Sequence, residues 1–421
     1  MRYFYTILFY FALPAVLLRL LWRSRHIPDY RQRLGERFGF YPFKFEKCLW
    51  VHAVSVGEVL AAIPLIKALQ TRYPHIPLLV TTMTPTGAAR VKAAFGDSVA
   101  HAYLPYDLPG AISRFLEAMH PQIGLIMETE LWPTLLTQCH KKHIPVCLLN
   151  ARLSEKSARG YRRIALFTRT MLQNLSVIAA HGQADAKRFI ALGAPQNKVI
   201  VTGNIKFDLQ LPDALSIKSA LLRESLGKTR FIWIAASTHE GEEEQMLLAH
   251  QQLRQRNKQA LLILVPRHPD RFDSVAKLSE QYGFKTIRRS QQIPTTSDTA
   301  VYLGDTMGEL LLMYAAADLA FVGGSLIPRG GHNMLEPGAL GKPILTGKHL
   351  FNFAEISELF ISAQALTIVS DTKALVLQLT QLMENLNARM QMGERARQVV
   401  EANRGALVKQ LEIIAMKLSD V

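Results

Sequence analysis

Several polar segments that directly follow apolar runs contain residues that could bind or activate a substrate. In the segment 52–58, which reads HAVSVGE, Glu58 comes at the predicted start of a helix. A carboxylate at that position could act as a general base for a substrate hydroxyl. It could equally serve only to complement the positive end of the helix dipole, and its position alone does not decide between the two roles. Ser55 and Gly57 belong to the same segment and are further site candidates, since a glycine lets a ligand approach the backbone.

Further segments of the first half combine residue types that suit a polar ligand. Thr84 and Thr86 could bind an anion or a sugar, or could simply cap the next helix. Glu128 and Glu130 lie two residues apart after an apolar run, where paired carboxylates could bind a sugar, a metal or a basic side chain. An ion pair between domains is the alternative for them. Arg152 is suited to a phosphate or a carboxylate, and a solvated, charged helix start is its alternative.

The second half of the chain repeats this arrangement of polar residues after apolar runs. Ser237 and Thr238 could hold a phosphate, whereas the glutamates at 242–244 are expected to cap the following helix. Arg267 and His268 stand between two prolines, which hold them stiffly for contact with a phosphate or a base edge. Both pairs therefore indicate an anion-binding site in the second half.

The most specific pattern is a glycine-rich segment, VGGSL, followed closely by GGHNMLEP over residues 330–337. The glycines would let a nucleotide phosphate bind backbone N–H groups. Asn333 lies in the first turn of the helix that follows, and the carboxylate of Glu336 can accept both ribose hydroxyls. Gly308, in the segment GDTMGEL, would likewise allow a ligand to approach closely. These features are typical of a nucleotide site.

The elements that must position these residues alternate between apolar strands and amphipathic helices. Apolar runs without alternation are typical of parallel strands that are buried on both faces. The strand–helix–strand order predicts doubly wound α/β domains, and the alternation pauses near residues 205–215. We therefore expect two Rossmann-like domains, with ligands in the cleft at the carboxyl ends of the strands. The first strand–helix turn lacks the GxGxxG fingerprint of dinucleotide sites.

The composition is that of a folded protein with two or three domains. The chain has 421 residues, of which 49% are hydrophobic and 20% charged, and this excludes disorder and low-complexity architecture. Its formal charge of +15 predicts an anionic partner, which could be nucleic acid, a membrane face or a phosphorylated substrate. The 3 cysteines show no CxxC spacing, which argues against a disulfide scaffold or a structural zinc site and fits a reducing compartment.

The basic excess is concentrated beside an N-terminal apolar run. Residues 1–50 hold 9 Lys and Arg against 3 Asp and Glu, so they carry +6 of the total charge. The apolar run Tyr3–Leu18 is slightly short for a full span, and arginines follow it rather than precede it. We expect residues 1–25 to form an uncleaved membrane anchor with its basic flank on the cytoplasmic side, spanning the bilayer or lying in its interface. A buried core helix is the alternative.

Taken in order, these segments closely resemble the 3-deoxy-D-manno-octulosonic acid (Kdo) transferases of Gram-negative lipopolysaccharide synthesis. The motifs that carry the resemblance are RLGERFGFY, HAVSVGEVLAAIPL, TTMTPTGA, LPYDLP, METELWP, NARLSEKSARGY, GNIKFD, STHEGEEE, LVPRHPDRF, GDTMGEL, ADLAFVGGSL and GGHNMLEP. The resemblance implies a GT-B glycosyltransferase, with two Rossmann-like domains facing a cleft. Residues 26–208 would bind the acceptor, and residues 209–421, including the C-terminal helices, would bind the nucleotide. The end of the helical tail could cross back onto the first domain.

The resemblance also implies an inverting, metal-independent transfer of Kdo from CMP-Kdo to a lipid A precursor (lipid IVA). Glu58 is then the general base, whereas Glu128 and Glu130 stay open between acceptor binding and a structural ion pair. Arg267 and helix N-termini would stabilise the phosphate in place of a metal ion. The implied CMP-binding residues are Arg267, His268, Gly308, Glu309, Leu310, Asn333, Met334, Leu335 and Glu336.

The expected partners are CMP-Kdo, as the donor substrate, and a phosphorylated lipid A precursor at the cytoplasmic face of the inner membrane. Neither a cofactor nor nucleic acid is expected. One rival is a hydrolysing or epimerising sugar-nucleotide enzyme, which shares the two-domain layout but needs no membrane. The other is a nucleic-acid-binding protein, which the charge alone suggests although no recognised nucleic-acid motif accompanies it. The residues do not reveal how many Kdo units are transferred.

Overall fold

The computed structural model describes residues 2–419 and divides them into two compact units. Unit 1 comprises the described residues up to Asp208 together with those from Arg404 onward, and unit 2 runs from Leu209 to Asn403. Each unit is built on a seven-stranded sheet in which all paired neighbours are parallel. The predicted α/β class with two Rossmann-like domains is thereby confirmed.

The sheet of unit 1 has the strand order β3-β2-β1-β4-β5-β6-β7. Its strands are β1 (Cys48–His52), β2 (Leu78–Thr82), β3 (Ala100–Tyr103), β4 (Pro121–Met127), β5 (Val146–Ala151), β6 (Val177–Ala180) and β7 (Val199–Val201). In the interior strand β1, Val51 pairs with Val80 on one side and with Leu125 on the other. Every residue of β1 and β2 is buried, which explains their continuous apolar sequence.

Helices cover both faces of this sheet. They are α1 (Arg2–Arg23), α2 (Val56–Arg72), α3 (Pro85–Phe95), α4 (Pro109–Met119), α5 (Pro133–Lys141), α6 (Glu155–Arg162), α7 (Ala165–Gln173) and α8 (Gln183–Ala191). Leu65 of α2 packs in one core cluster, while Phe115 of α4 packs in the other. Successive β1 residues point to opposite faces, so that Trp50 joins the cluster around Phe115 and Val51 joins the cluster around Leu65.

The sheet of unit 2 has the strand order β10-β11-β9-β8-β12-β13-β14. Its strands are β8 (Ile232–Thr238), β9 (Leu261–Pro266), β10 (Thr286–Arg288), β11 (Val301–Leu303), β12 (Leu319–Val322), β13 (Ile344–Thr346) and β14 (Leu366–Ile368). The sequence pattern predicted neither β10 and β14 nor β7 of unit 1. Each of the three has only three residues and lies at the edge of its sheet, so its side chains are too few and too exposed for a period to show.

Eight helices of unit 2 surround its sheet. They are α9 (Leu215–Leu226), α10 (Glu243–Arg256), α11 (Phe272–Gln281), α12 (Leu310–Ala316), α13 (Leu335–Ala339), α14 (Ala354–Ser362), α15 (Thr372–Glu384) and α16 (Leu386–Ala402). Helix α12 begins only at Leu310, because Gly308 has a positive φ of 83° that no helical residue adopts.

The last helix, α17 (Ala406–Ser419), belongs to unit 1, which corrects the predicted nucleotide-binding domain of residues 209–421. The carboxylate of Asp208 accepts hydrogen bonds of 2.6 Å from the backbone N–H groups of Gly405 and Leu407. Ile413 and Ile414 of α17 are buried in the same core cluster as β1 and α2. The apolar face of α17 therefore completes unit 1, so that the second domain ends near Asn403.

The N-terminal helix α1 has the length and composition needed to cross a membrane over residues Phe4–Arg23, and it is the one such helix among the described residues. One face of α1 nevertheless packs on unit 1, where Phe9 contacts Tyr106 and the Tyr5 hydroxyl bonds to the Asp107 carboxylate. The opposite face is open, with Phe11 81% exposed. The helix is therefore not the buried core helix that the sequence left as an alternative.

Candidate functional site

The loops that follow β1, β4 and β5 form a pocket of about 320 Å³ in unit 1. Because these strands are parallel neighbours, their carboxyl ends meet at one edge of the sheet. The pocket is lined by Glu58, Glu128, Thr129, Glu130, Arg152, Ser154 and Ser157. The structure thus brings together four predicted site residues from three separate segments, which are the three glutamates and the arginine.

Glu58 is held in a defined orientation at the start of α2. The backbone N–H of Val54 donates to its Oε2 at 2.8 Å, and the Ser55 hydroxyl donates to its Oε1 at 2.9 Å. The side chain is 9% exposed, so burial raises the pKa of Glu58, while these two hydrogen bonds oppose the rise. The nearby charge of Glu128 raises this pKa further. Glu58 therefore closes the first helical turn and also presents an unusually basic carboxylate to the pocket.

The other two carboxylates of the pocket differ in their surroundings. Glu128 has a left-handed backbone with φ of 57°, and its Oε1 lies 3.7 Å from Lys206 Nζ of the same unit. Burial, together with the negative charges of Glu58 and Glu128, raises the pKa of Glu130 to about 7. Glu130 consequently changes its charge near neutral pH, whereas Glu128 has a basic partner within reach.

Arg152 also lines the pocket, and its backbone is held by Thr129. The Thr129 hydroxyl donates to the carbonyl oxygen of Arg152, which links the loop after β4 to the loop after β5. The Arg152 side chain is exposed at the pocket and so can meet an anionic substrate there. The pocket thus combines acidic groups with one guanidinium.

The remaining candidates of unit 1 do not line this pocket within the described part of the chain. Thr84 caps α3, since its hydroxyl accepts from the Gly87 N–H at 3.1 Å, and Thr86 is exposed beside it. Ser55 supports Glu58 from the N-cap position of α2. A Cβ at Gly57 would meet only Ser55 Oγ, at 3.9 Å, so the fold itself does not require glycine there.

In unit 2, the ends of β8 and β9 place a second group of predicted residues at one sheet edge. Arg267 and His268 are both exposed directly after β9, and the Arg267 N–H donates to the Thr238 carbonyl oxygen at 2.9 Å. The side chain of Thr238 is fully buried, so it lies beneath the site rather than on its surface. Ser237 has a left-handed backbone with φ of 57° and is half-buried.

The glycine-rich segment after β12 is anchored by Glu242, which corrects two expectations. The fully buried carboxylate accepts from the N–H groups of Gly324 at 2.7 Å, Ser325 at 3.0 Å and Leu326 at 3.0 Å. It also accepts from the His239 N–H at 3.1 Å. Glu242 stands at the N-cap position of α10, but its side chain makes no capping hydrogen bond to that helix. The three loop N–H groups are occupied by a carboxylate instead of being open to a nucleotide phosphate.

Three histidines meet above that anchored loop. The Nε2 atoms of His239 and His332 lie 2.8 Å apart, and the ring of His268 lies 5.4 Å from the His239 ring. Burial, together with the neighbouring His239, Arg267 and His268, lowers the pKa of His332 to about 4. Burial also lowers the pKa of His239, and the same basic surroundings add to the effect. Burial and the surrounding basic groups therefore favour the neutral form of His239 and His332.

The predicted residues around Gly308 offer a ligand mainly main-chain atoms. Gly308 is exposed with φ of 83°, and no atom lies within 4 Å of where its Cβ would be. The Glu309 carboxylate is held by Arg289 at 2.8 Å and 3.0 Å, and this ion pair lowers the pKa of Glu309. Leu310 begins α12. Because its carboxylate is already paired, Glu309 would meet a nucleotide through its main chain.

The segment before and within α13 offers two polar side chains. The Asn333 amide donates to Glu336 Oε1 at 3.2 Å, and burial raises the pKa of Glu336. The side chains of Met334 and Leu335 are buried in the protein, with Met334 fully so. Of these four predicted residues, Asn333 and Glu336 can therefore reach a ligand with side chains, and the other two only with backbone.

His239, His332 and the anchoring role of Glu242 were not predicted from the sequence. Both histidines occur in quoted motifs, STHEGEEE and GGHNMLEP, and both follow buried strands. That placement was a usable signal, but nothing in the spacing of 93 residues between them indicates that their rings meet.

The family model of 3-deoxy-D-manno-octulosonic-acid transferase (kdotransferase) matches residues 32–209. A 3-deoxy-D-manno-octulosonic acid transferase of Haemophilus influenzae is 46% identical over 98% of this chain and 98% of its own. The protein of the same name from Bordetella pertussis is 36% identical over 91% of this chain and 90% of its own.

A solved structure of similar architecture is the UDP-GlcNAc 2-epimerase of Neisseria meningitidis bound to UDP-GlcNAc. It has a TM-score of 0.57 with 17% sequence identity, and the match covers 89% of this chain and 100% of that one. At that identity the likeness concerns the fold alone, which it shows to be of the GT-B type.

Proposed function

The chain belongs to the 3-deoxy-D-manno-octulosonic acid transferase family and is a glycosyltransferase, and from that premise we propose its substrates, its base and its location. The donor is CMP-Kdo, the acceptor is a lipid A precursor such as lipid IVA, and the reaction inverts the anomeric centre without a metal ion. The observation that carries the proposal is the position of Glu58, a buried carboxylate held at the pocket of unit 1.

Glu58 acts as the general base in this proposal. It removes the proton of the acceptor hydroxyl while that oxygen attacks the anomeric carbon of Kdo and the bond to the phosphate oxygen of CMP breaks. The hydrogen bonds from Val54 and Ser55 fix its orientation, and the raised pKa makes it a stronger base than an exposed glutamate. Both features support the assignment, because a base must be positioned as well as basic.

The acceptor binds at the pocket around Glu58. Arg152 would pair with a phosphate of the lipid A precursor, while Glu128 and Glu130 would accept hydrogen bonds from sugar hydroxyls. We assign both Glu128 and Glu130 to acceptor binding, because both line the pocket and the contact of Glu128 with Lys206 is long, at 3.7 Å.

The donor binds at the sheet edge of unit 2. Arg267 and His268 are exposed there and suit the phosphate, and Glu336 suits the ribose hydroxyls. The backbone around Gly308 and Asn333 completes the site in this proposal. Arg267 offsets the charge that develops on the departing phosphate, which is how transfer proceeds without a metal ion.

The protein is located at the cytoplasmic face of the inner membrane in this proposal. The apolar outer face of α1 and the charge of +6 in the first 50 residues support it, since both attract the protein to an anionic bilayer. The acceptor is itself a membrane lipid, so an anchor beside its binding unit keeps the pocket near the substrate.

The proposal is tested by mass spectrometry of the product formed from CMP-Kdo and tetraacylated lipid A precursor. The wild type should yield glycolipid carrying Kdo, and Glu58→Gln should lose roughly 10²–10⁴-fold of the rate while still binding CMP. Glu117→Gln, an exposed glutamate of the same unit, is the matched control and should keep full activity. Release of CMP without a glycolipid product would instead favour a hydrolysing enzyme, and unchanged turnover of Glu58→Gln would refute the base.

A further inference from the structure

His239 and His332 meet head to head at the edge of unit 2. Their ring planes differ by 12°, their centroids are 5.1 Å apart and their Nε2 atoms are 2.8 Å apart. The centroid separation is about the Nε2–Nε2 distance plus one centroid-to-nitrogen distance in each ring, so the two nitrogens face each other nearly in line. A hydrogen bond between them needs a proton on one nitrogen only. The pair can therefore be neutral or carry one extra proton, whereas two extra protons would set N–H against N–H.

We propose that this pair is a phosphate-binding group of the donor site that takes up one proton when the nucleotide binds. The inference rests on the proposed function, because it takes the ligand to be CMP or CMP-Kdo. The pair lies between the two sets of proposed donor residues. His239 is in ring contact with His268, and His332 directly precedes Asn333.

The charges around the pair explain why it would gain a proton with the ligand. The basic groups that face it are Arg267, His268 and Arg271 after β9, and Arg329 in the loop after β12, and Arg271 is paired with Glu243 of α10 at 3.0 Å. Burial disfavours an added proton and the arginines repel it, so the unliganded pair is neutral near neutral pH. The negative charge of a phosphate bound between the pair and Arg267, single in the diester CMP-Kdo and up to double in the monoester CMP, opposes that field and favours the protonated pair. Glu242, the nearby acid, is already held by four backbone N–H groups.

The backbone at Gly324 packs directly against both rings of the pair. A Cβ at this position would lie 2.8 Å from the His332 ring and 3.6 Å from the His239 ring. The Gly324 N–H is tied to Glu242 at 2.7 Å, so the loop cannot move aside easily. The close approach of backbone to both rings shows that their placement is determined by packing and not by exposed, mobile side chains.

The proton taken up by the histidine pair also stabilises the phosphate during the reaction. When the bond from the anomeric carbon to the phosphate oxygen breaks, its electron pair remains on that oxygen and the phosphate gains negative charge. The extra proton keeps a positive charge on the pair beside the phosphate, which offsets this developing charge, and no further reactant is needed. The acceptor proton goes to Glu58, so the two protons have separate destinations.

The test is calorimetry of CMP binding to the full-length protein slightly above neutral pH, in two buffers of different ionisation enthalpy. A phosphate monoester, with a second pKa of about 6, is then mainly dianionic. The wild type should take up close to one proton with CMP and none with cytidine, which lacks the phosphate. His332→Gln and His239→Gln should each abolish the uptake and weaken CMP binding roughly tenfold, the loss of one charge-assisted hydrogen bond.

His140→Gln, an exposed histidine of unit 1, is the control and should bind CMP with unchanged affinity and proton uptake. Thermal unfolding of each variant shows whether unit 2 has kept its fold, and either histidine variant suffices if the other unfolds. CMP binding by the wild type without proton uptake, or uptake retained in both histidine variants, would overturn this inference alone. Failure of the wild type to bind CMP would overturn the donor assignment as well.

Discussion

The buried carboxylate of Glu242 accepts a 2.7 Å hydrogen bond from the backbone N–H of Gly324, which joins the start of α10 to the loop after β12. The two residues are 82 positions apart, yet this contact sets the floor of the proposed donor site. A charged group with four N–H donors is satisfied without any solvent.

Glu242→Gln should lower the stability of unit 2 by about 1–3 kcal/mol, because the amide nitrogen of glutamine would face backbone N–H donors in place of a carboxylate oxygen. Denaturant unfolding monitored on the full chain measures the loss. Glu244→Gln, which is exposed in the first turn of the same helix, is the control and should change stability little. Equal stability of the two variants would show that Glu242 is not the anchor.

Glu128→Gln should move the acid limb of the pH–rate profile to lower pH. The negative charge of Glu128 raises the pKa of Glu58 and of Glu130, so its removal lets the base lose its proton at lower pH. Measurement of kcat/KM against pH gives the shift, with Glu117→Gln as the unshifted comparison. A shift towards higher pH would contradict the electrostatic coupling within the pocket.

Glu130→Gln should be more stable than the wild type above neutral pH. Burial and its acidic neighbours raise the pKa of Glu130 from its ordinary 4.5 to about 7, so protonation favours the folded state. The corresponding stability is complete below the ordinary pKa and is lost as the pH rises through the folded one. The difference in Tm between variant and wild type should therefore grow across this window. A constant difference, like that expected for the exposed control Glu155→Gln, would refute the shift.

Arg267→Ala should weaken binding of CMP roughly tenfold or more, since a charge-assisted hydrogen bond is worth about 1.5–3 kcal/mol. Binding of cytidine should change little, because the proposed contact is to the phosphate. Calorimetry with both ligands separates the two effects, and Arg256→Ala, an exposed arginine of α10, serves as the control. An equal loss for both ligands would place Arg267 against the base or the sugar.

Phe11→Ser should weaken binding to vesicles that contain anionic lipid and should leave the Tm unchanged, because Phe11 is on the open face of α1. Phe9→Ala should lower the Tm and leave vesicle binding unchanged, because Phe9 packs against Tyr106 of unit 1. Vesicle flotation and thermal unfolding measure the two properties. If neither variant alters flotation, membrane attachment does not depend on the open face of α1.

Much of the fold was predictable because its strands are long and apolar enough to be seen. The interior strands β1, β9 and β12 show a clear sequence pattern, since burial on both faces leaves an uninterrupted apolar run. The destination of α17 was left open between packing on the second domain and crossing back onto the first, because an amphipathic helix shows which of its faces is buried but not the surface that covers it. Its partner, Asp208, lies 197 residues before Gly405.

The candidate site likewise has a part that could be predicted from the sequence and a part that could not. Glu58, Glu130 and Arg152 could be grouped from sequence, because each follows a strand and parallel strands end at one edge. The pairing of His239 with His332 and the use of loop N–H groups by Glu242 could not, since both depend on side-chain geometry between distant segments. The expectation that those loop amides receive a phosphate failed for this reason.

The return of α17 to unit 1 has a consequence for the order in which the protein is made. The ribosome completes unit 2 once Asn403 has emerged, and the apolar face of α17 follows last. Until then, the surface of unit 1 that receives Ile413 and Ile414 has no cover from its own chain. The N-terminal unit is therefore finished after the C-terminal one, and a nascent chain that stops short of α17 should need a chaperone even though its nucleotide-binding half is already folded.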